Sequence, residues 1–102
     1  MSEDTIFHKI INREIPADIV FEDSDMIVIR DINPVSDIHL LLIPKKTMPS
    51  LSDAAEGDAE LLGAMLLRAA KLASDQGIAE DGYRVVINTG GCGGQTVFQL
   101  HM

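Results

Sequence analysis

Apolar positions along the chain change their period several times, and each change marks an element. Ile6, Phe7, Ile10 and Ile11 recur at helical spacing. Asp4 or Thr5 can cap that short helix, which runs through about Asn12, and Pro16 closes the segment. The period then drops towards two. Ile-Val-Phe-Glu (19–22) and Met-Ile-Val-Ile-Arg-Asp-Ile (26–32) predict two strands joined by a tight turn at Asp23-Ser24-Asp25. Asn33-Pro34 is a further turn signal. His-Leu-Leu-Leu-Ile-Pro (39–44) predicts a third strand, whose unbroken apolar run implies burial on both faces. Pro44 stops it, and Lys45-Lys46 reads as a solvated edge.

Helical spacing returns from Asp58 to Gln76. At 100° per residue, Leu61, Leu62, Met65, Leu66, Ala69, Leu72 and Ala73 share an arc of about 140°, opposite Glu60, Arg68, Lys71 and Asp75. Leu67 falls outside the arc. Gly77 suits the position after the helix end. Residues 83–88 (YRVVIN) predict a fourth strand and residues 96–102 (TVFQLHM) a fifth. In the fifth, Phe98, Leu100 and Met102 alternate with Val97, Gln99 and His101, which sets Gln99 and His101 side by side on a polar face. The whole predicts one α+β domain over residues 1–102: a five-stranded, mainly antiparallel sheet with one long and one short helix.

Charge narrows the partners. A net charge of −8 and a pI near 4.6 argue against binding a nucleic-acid polymer, where Lys and Arg must neutralise phosphates. They leave room for a small nucleotide. One cysteine, Cys92, excludes an internal disulfide framework and a CxxC zinc module. The acidic, polar start MSEDTIFHKI is no secretory signal, no apolar run approaches the ~18 residues that span a bilayer, and a cytoplasmic location is expected.

Several residues could carry chemistry. Gly90, Gly91, Gly93 and Gly94 surround Cys92 just before the last strand. Such a loop lets a phosphate approach the backbone, and His101 beyond it could attack phosphorus or transfer a proton; a plain half-exposed strand is the alternative. His39 opens the third strand and is either a catalytic neighbour or a satisfied structural histidine. His8, beside Lys9, is expected to be solvated. The three histidines and Cys92 match no zinc-ligand spacing, so no metal is expected. Asp31 is either a turn former or a carboxylate for a ribose diol. Asn88 is either a turn residue or an amide donor to phosphate.

Taken together, these residues resemble the histidine-triad (HIT) nucleotide-binding proteins, in particular the Hint-type branch that hydrolyses purine nucleoside phosphoramidates. The likeness runs through DTIFHKIINREIPADIVFEDSD, RDINPVSDIHLLLIPKK and GYRVVINTGGCGGQTVFQLHM, in that order. The family signature is His-φ-His-φ-His-φ-φ, with φ apolar. Gln99 stands at its first histidine, His101 at its second, and the third falls immediately after Met102, so the family's C-terminal tail is expected to lie beyond the chain given.

The resemblance implies His101 as the nucleophile, forming a nucleotidyl-histidine. It implies Phe7, Ile10, Ile15, Ile29 and Ile32 around the base, and Asp31 on the ribose. Asn88, Gly94 and Thr96 would lie around the phosphate, with His39 near the triad and no cofactor. Gln99 cannot transfer a proton at neutral pH, which favours the alternative of a catalytically impaired nucleotide-binding module. A dinucleoside polyphosphate hydrolase of the same superfamily is a third reading. The resemblance also implies a homodimer, paired through the long helix and residues 83–88 so that two five-stranded sheets join into one of ten.

Overall fold

The computed structural model describes residues 5–102. Helix α1 spans Ile6–Ile11, and Thr5 caps it: the Thr5 hydroxyl accepts from the His8 N–H at 3.3 Å, and His8 Nδ1 accepts from the Thr5 N–H at 2.9 Å. Asp4, the other capping candidate, lies outside the described residues. His8 is buried, not solvated as expected, because its ring folds back to complete the cap.

The predicted hairpin forms as β1 (Ile19–Glu22) and β2 (Met26–Arg30). Asp23 makes the turn, its carboxylate accepting from the N–H groups of Asp25 and Met26 at 2.8 and 2.9 Å. The β1–β2 register shifts between Ile19 and Phe21. β3 (Leu40–Pro44) lies antiparallel on the other side of β2, from Met26 opposite Pro44 to Arg30 opposite Leu40. The sheet order is β1-β2-β3.

Strand alternation now splits one apolar run into two cores. Met26, Val28 and Leu42 pack with Met65 and Leu72 of helix α2 (Ala59–Asp75), and with Leu100 and Met102. Ile27, Ile29 and Ile43 pack on the opposite face with Phe7 and Ile10 of α1. Burial on both faces is why β2 shows no polar alternation until Arg30.

Helix α2 follows its predicted arc. Met65, Leu72 and Ala73 are buried, while Leu61, Leu62 and Ala69 are half-buried against the same core. Leu66, at the arc's edge, is exposed, and Leu67 is 75% exposed. Gly77 takes φ +76, and the Ile78 N–H returns to the Ala73 carbonyl at 3.0 Å to close the helix end. No helix among the described residues is long and apolar enough to cross a membrane.

The fourth and fifth strands do not form, so the sheet has three strands and not five. Residues 83–88 carry no ladder among the described residues, and Tyr83, Val85 and Val86 are exposed. The backbone of the final segment pairs with β3 only at its last residue, where Met102 and Leu42 exchange bonds of 3.0 Å each way. A single reciprocal pair makes no ladder, and β-rich composition does not create a neighbour.

Candidate active site

His101 is held by what precedes and follows it. The Leu100 N–H donates to the Met48 carbonyl at 2.7 Å, and Met102 is tied to Leu42. Between these anchors the imidazole stands edge-on to Phe7, with ring centroids 4.8 Å apart and planes 69° to each other. His101 Nδ1 is 2.9 Å from the Gln99 carbonyl oxygen. A carbonyl oxygen only accepts, so Nδ1 carries a proton, and in the neutral ring Nε2 then keeps the lone pair. A half-buried neutral imidazole in that tautomer is equipped for nucleophilic or general-base work.

Gln99 does not lie beside His101 on an open face. It is 0% exposed. Its Oε1 accepts from the Met48 N–H at 2.9 Å, and its Nε2 donates to the carbonyls of Pro44 (3.0 Å) and Lys46 (2.9 Å). Alternation misplaces it because residues 96–102 are not a regular strand. They cross the bend at 44–48, whose buried backbone groups need partners. Phe98, assigned to the apolar face, is instead 52% exposed.

Asp31 and His39 close the loop after β2. The Asp31 N–H donates to the His39 carbonyl at 3.0 Å. Asp31 Oδ1 accepts from the Asn33 N–H at 2.9 Å. His39 Nδ1 accepts from the Val35 N–H at 3.2 Å, which leaves the proton on Nε2, 3.4 Å from Asp31 Oδ2. The side-chain contacts of His39 therefore run to Asp31 and this loop. Ile32, two positions after Arg30, is 83% exposed.

The glycine loop turns through left-handed conformations at Gly90 (φ +72) and Gly94 (φ +87). Asn88 lies against Gly94, where an added Cβ would meet its Nδ2 at 3.6 Å. Gln95, which sequence reasoning missed, is buried at the centre of the loop. Its Oε1 accepts from the Gly90 N–H at 2.8 Å, and its Nε2 donates to the carbonyls of Pro49 (2.6 Å) and Val97 (3.0 Å). Thr96 is exposed beside it. The only sequence signal was a glutamine following a run of glycines.

Of the expected base-lining residues, Phe7, Ile10 and Ile29 share the α1-side core with Ile15 packed against it, while Ile32 stands apart in solvent. A shallow cavity of about 350 Å³ lies alongside, lined by Ile10 and Ile15 with Arg13, Glu14, Pro16, Ala17 and Ile19.

The Lys45-Lys46 pair is not a free solvated edge. Lys45 bonds Glu22 at 2.8 Å, and Lys46 pairs with the buried Asp58. The Lys45 ammonium, with Arg13 second, holds the Glu22 carboxyl below its usual range. Lys46 does the same for Asp58, helped by the Ala55 N–H.

Comparison with known proteins identifies the frame in which these groups sit. The HIT domain family model matches residues 12–102. The chain is 48% identical over its whole length to the purine nucleoside phosphoramidase of Escherichia coli (strain K12), covering 86% of that protein. It is 55% identical to an uncharacterized HIT-like protein of Synechocystis sp., again over the whole chain and 89% of the relative. The crystal structure of a HIT family hydrolase from Legionella pneumophila Philadelphia 1 superposes with a TM-score of 0.94 at 46% identity, covering 96% of this chain and 88% of that one.

Proposed function

Because the chain belongs to the histidine-triad (HIT) domain family, we propose that it hydrolyses purine nucleoside phosphoramidates through a nucleotidyl-histidine on His101. One observation carries the reading: the Nδ1 of His101 is spent on the Gln99 carbonyl, so the lone pair of Nε2 is available to phosphorus. The activity of the 48%-identical Escherichia coli relative supports it.

Nε2 attacks the α-phosphorus, and the phosphorus–nitrogen bond to the amine breaks. The amine leaves with that electron pair and takes up a proton. Water then attacks phosphorus, the phosphorus–imidazole bond breaks, and nucleoside monophosphate departs while Nε2 regains its lone pair. Asp31 would accept from the ribose hydroxyls. Phe7, Ile10, Ile15, Ile29 and Ile32 would flank the purine, and the loop of Asn88, Gly94 and Thr96 would meet the phosphate oxygens. No step calls for a cofactor. A homodimer is part of the same reading, and the exposed apolar side chains of Leu66, Leu67, Tyr83, Val85 and Val86 support it.

The test is single-turnover reaction with an adenosine phosphoramidate, followed by intact mass. An added AMP on His101, with AMP released afterwards, is the expected result. AMP binding without adduct or turnover would instead assign a binding module, and a preference for a competing dinucleoside polyphosphate would move the substrate class.

A further inference from the structure

The first turn of α1 carries a histidine where a capping box ordinarily has glutamate or glutamine, three residues after the capping threonine. His8 Nδ1 accepts from the Thr5 N–H at 2.9 Å, so the neutral ring holds its proton on Nε2. That Nε2–H faces Thr47 Oγ1 at 3.5 Å, in the segment between β3 and α2. The Thr5 hydroxyl closes the other half of the box by accepting from the His8 N–H. The ring is buried, and none of the proposed reaction steps uses it.

What the cap holds is Phe7. The Phe7 ring packs with Ile10, Ile27, Ile29 and Ile43 on one side of the sheet and stands 4.8 Å from the His101 ring. A helix of six residues has little stability of its own. Its far end is fastened by the Asn12 N–H on the His8 carbonyl (3.0 Å) and the Glu14 N–H on the Lys9 carbonyl (2.8 Å). Its near end is closed by the reciprocal Thr5–His8 bonds. Without them the first turn frays, and Phe7 lies in that turn. His101 is fastened separately, through Leu100 to Met48 and Met102 to Leu42. Loss of the cap should therefore reach Phe7 and leave the imidazole of His101 in place.

We propose that His8 is a positioning residue for Phe7: its Nδ1 completes the capping box that fixes the first turn of α1, and that turn holds the Phe7 ring beside His101, where the purine is to lie. The purine clause rests on the nucleotide reading above. The positioning itself can be read without ligand.

The experiment compares wild type, His8→Gln and His8→Leu in the full chain, with folding checked by circular dichroism. Glutamine keeps an acceptor for the Thr5 N–H, and leucine fills space without one. Ligand-free and at mildly alkaline pH, ¹H–¹⁵N correlation reads the tautomer of the His8 ring, and nuclear Overhauser contacts read Phe7 against His101. AMP affinity and the single-turnover rate at saturating adenosine phosphoramidate are measured alongside. The wild type is expected to show Nε2–H on His8. His8→Leu should lose the Phe7–His101 contacts and bind AMP about fivefold more weakly, with its saturating rate within about twofold of wild type. His8→Gln should match wild type in contacts, affinity and rate. A wild-type Nδ1–H tautomer of His8 overturns the proposal whether or not either variant folds. So does a folded His8→Leu that keeps the contacts or the wild-type affinity, a His8→Gln that behaves as His8→Leu does, or a loss confined to the saturating rate. A wild type that binds no AMP, with the ring contacts responding as expected, sinks the nucleotide reading and leaves the positioning of Phe7 standing.

Discussion

The hairpin region, residues 19–44, and the final segment, residues 83–102, have similar strand-forming composition and opposite fates. In the first, each apolar residue goes to one of two cores by simple alternation, and ladder bonds satisfy the backbone. In the second, the described structure has no ladder. Two glutamine amides stand in for it. Gln95 and Gln99 each make three side-chain bonds, all to backbone groups. Where a strand lacks a neighbour, side chains must do what the ladder does elsewhere, and single residues then carry the stability that a sheet spreads over many.

The largest effect should come from the final segment. His101→Asn removes the proposed nucleophile and should abolish the AMP adduct, with single-turnover rate down about 10⁴-fold or more; a persisting adduct at another residue would move the chemistry elsewhere.

Stability offers the direct contrast. Ile43→Ala in the sheet should cost about 2–5 kcal/mol by leaving a cavity. Gln99→Met, which keeps the volume but strands three backbone groups, two of them in buried bonds, should cost at least as much, about 3–9 kcal/mol at roughly 1–3 kcal/mol for each unpaired group. Chemical denaturation of both variants would break the comparison if Gln99→Met were near neutral. Gln95→Leu should cost less, about 2 kcal/mol, because two of its three partners lie within the loop itself.

The smallest effect is electrostatic. Glu22 and Asp58 have carboxyl pKa values lowered in the folded state, so their contribution is present at neutral pH and is lost as pH falls through those lowered values. Thermal midpoints should be flat near neutrality and decline below the ordinary carboxylate range. Asp58→Asn should flatten the decline. Equal acid sensitivity in wild type and variant would remove Asp58 from the account.

The first part of the fold was legible because its signals are local. Thr5, Asp23 and Gly77 act within three or four residues of their partners, and the α2 arc needs only a helical period. The burial of His8 was not legible, because Lys9 beside it suggested solvent and the cap that turns it inward is a side-chain geometry. Gln99 was misplaced for a different reason: its partners at 44, 46 and 48 lie more than fifty residues away, and periodicity does not report them. His101 is proposed as a site residue on the motif alone, while the proton on its Nδ1 is read from a carbonyl that only the structure places.

The bond between Gln99 and Pro44 spans 55 residues of sequence, whereas the hairpin closes across a few. Closing so long a loop carries an entropic penalty that the hairpin avoids, so the three-stranded sheet should assemble early and the last segment should dock late. Reactivity would then be a late product of folding. In a refolding time course, hairpin protection from hydrogen exchange should precede the appearance of an imidazole able to take up AMP, and any partly folded chain should be chemically silent.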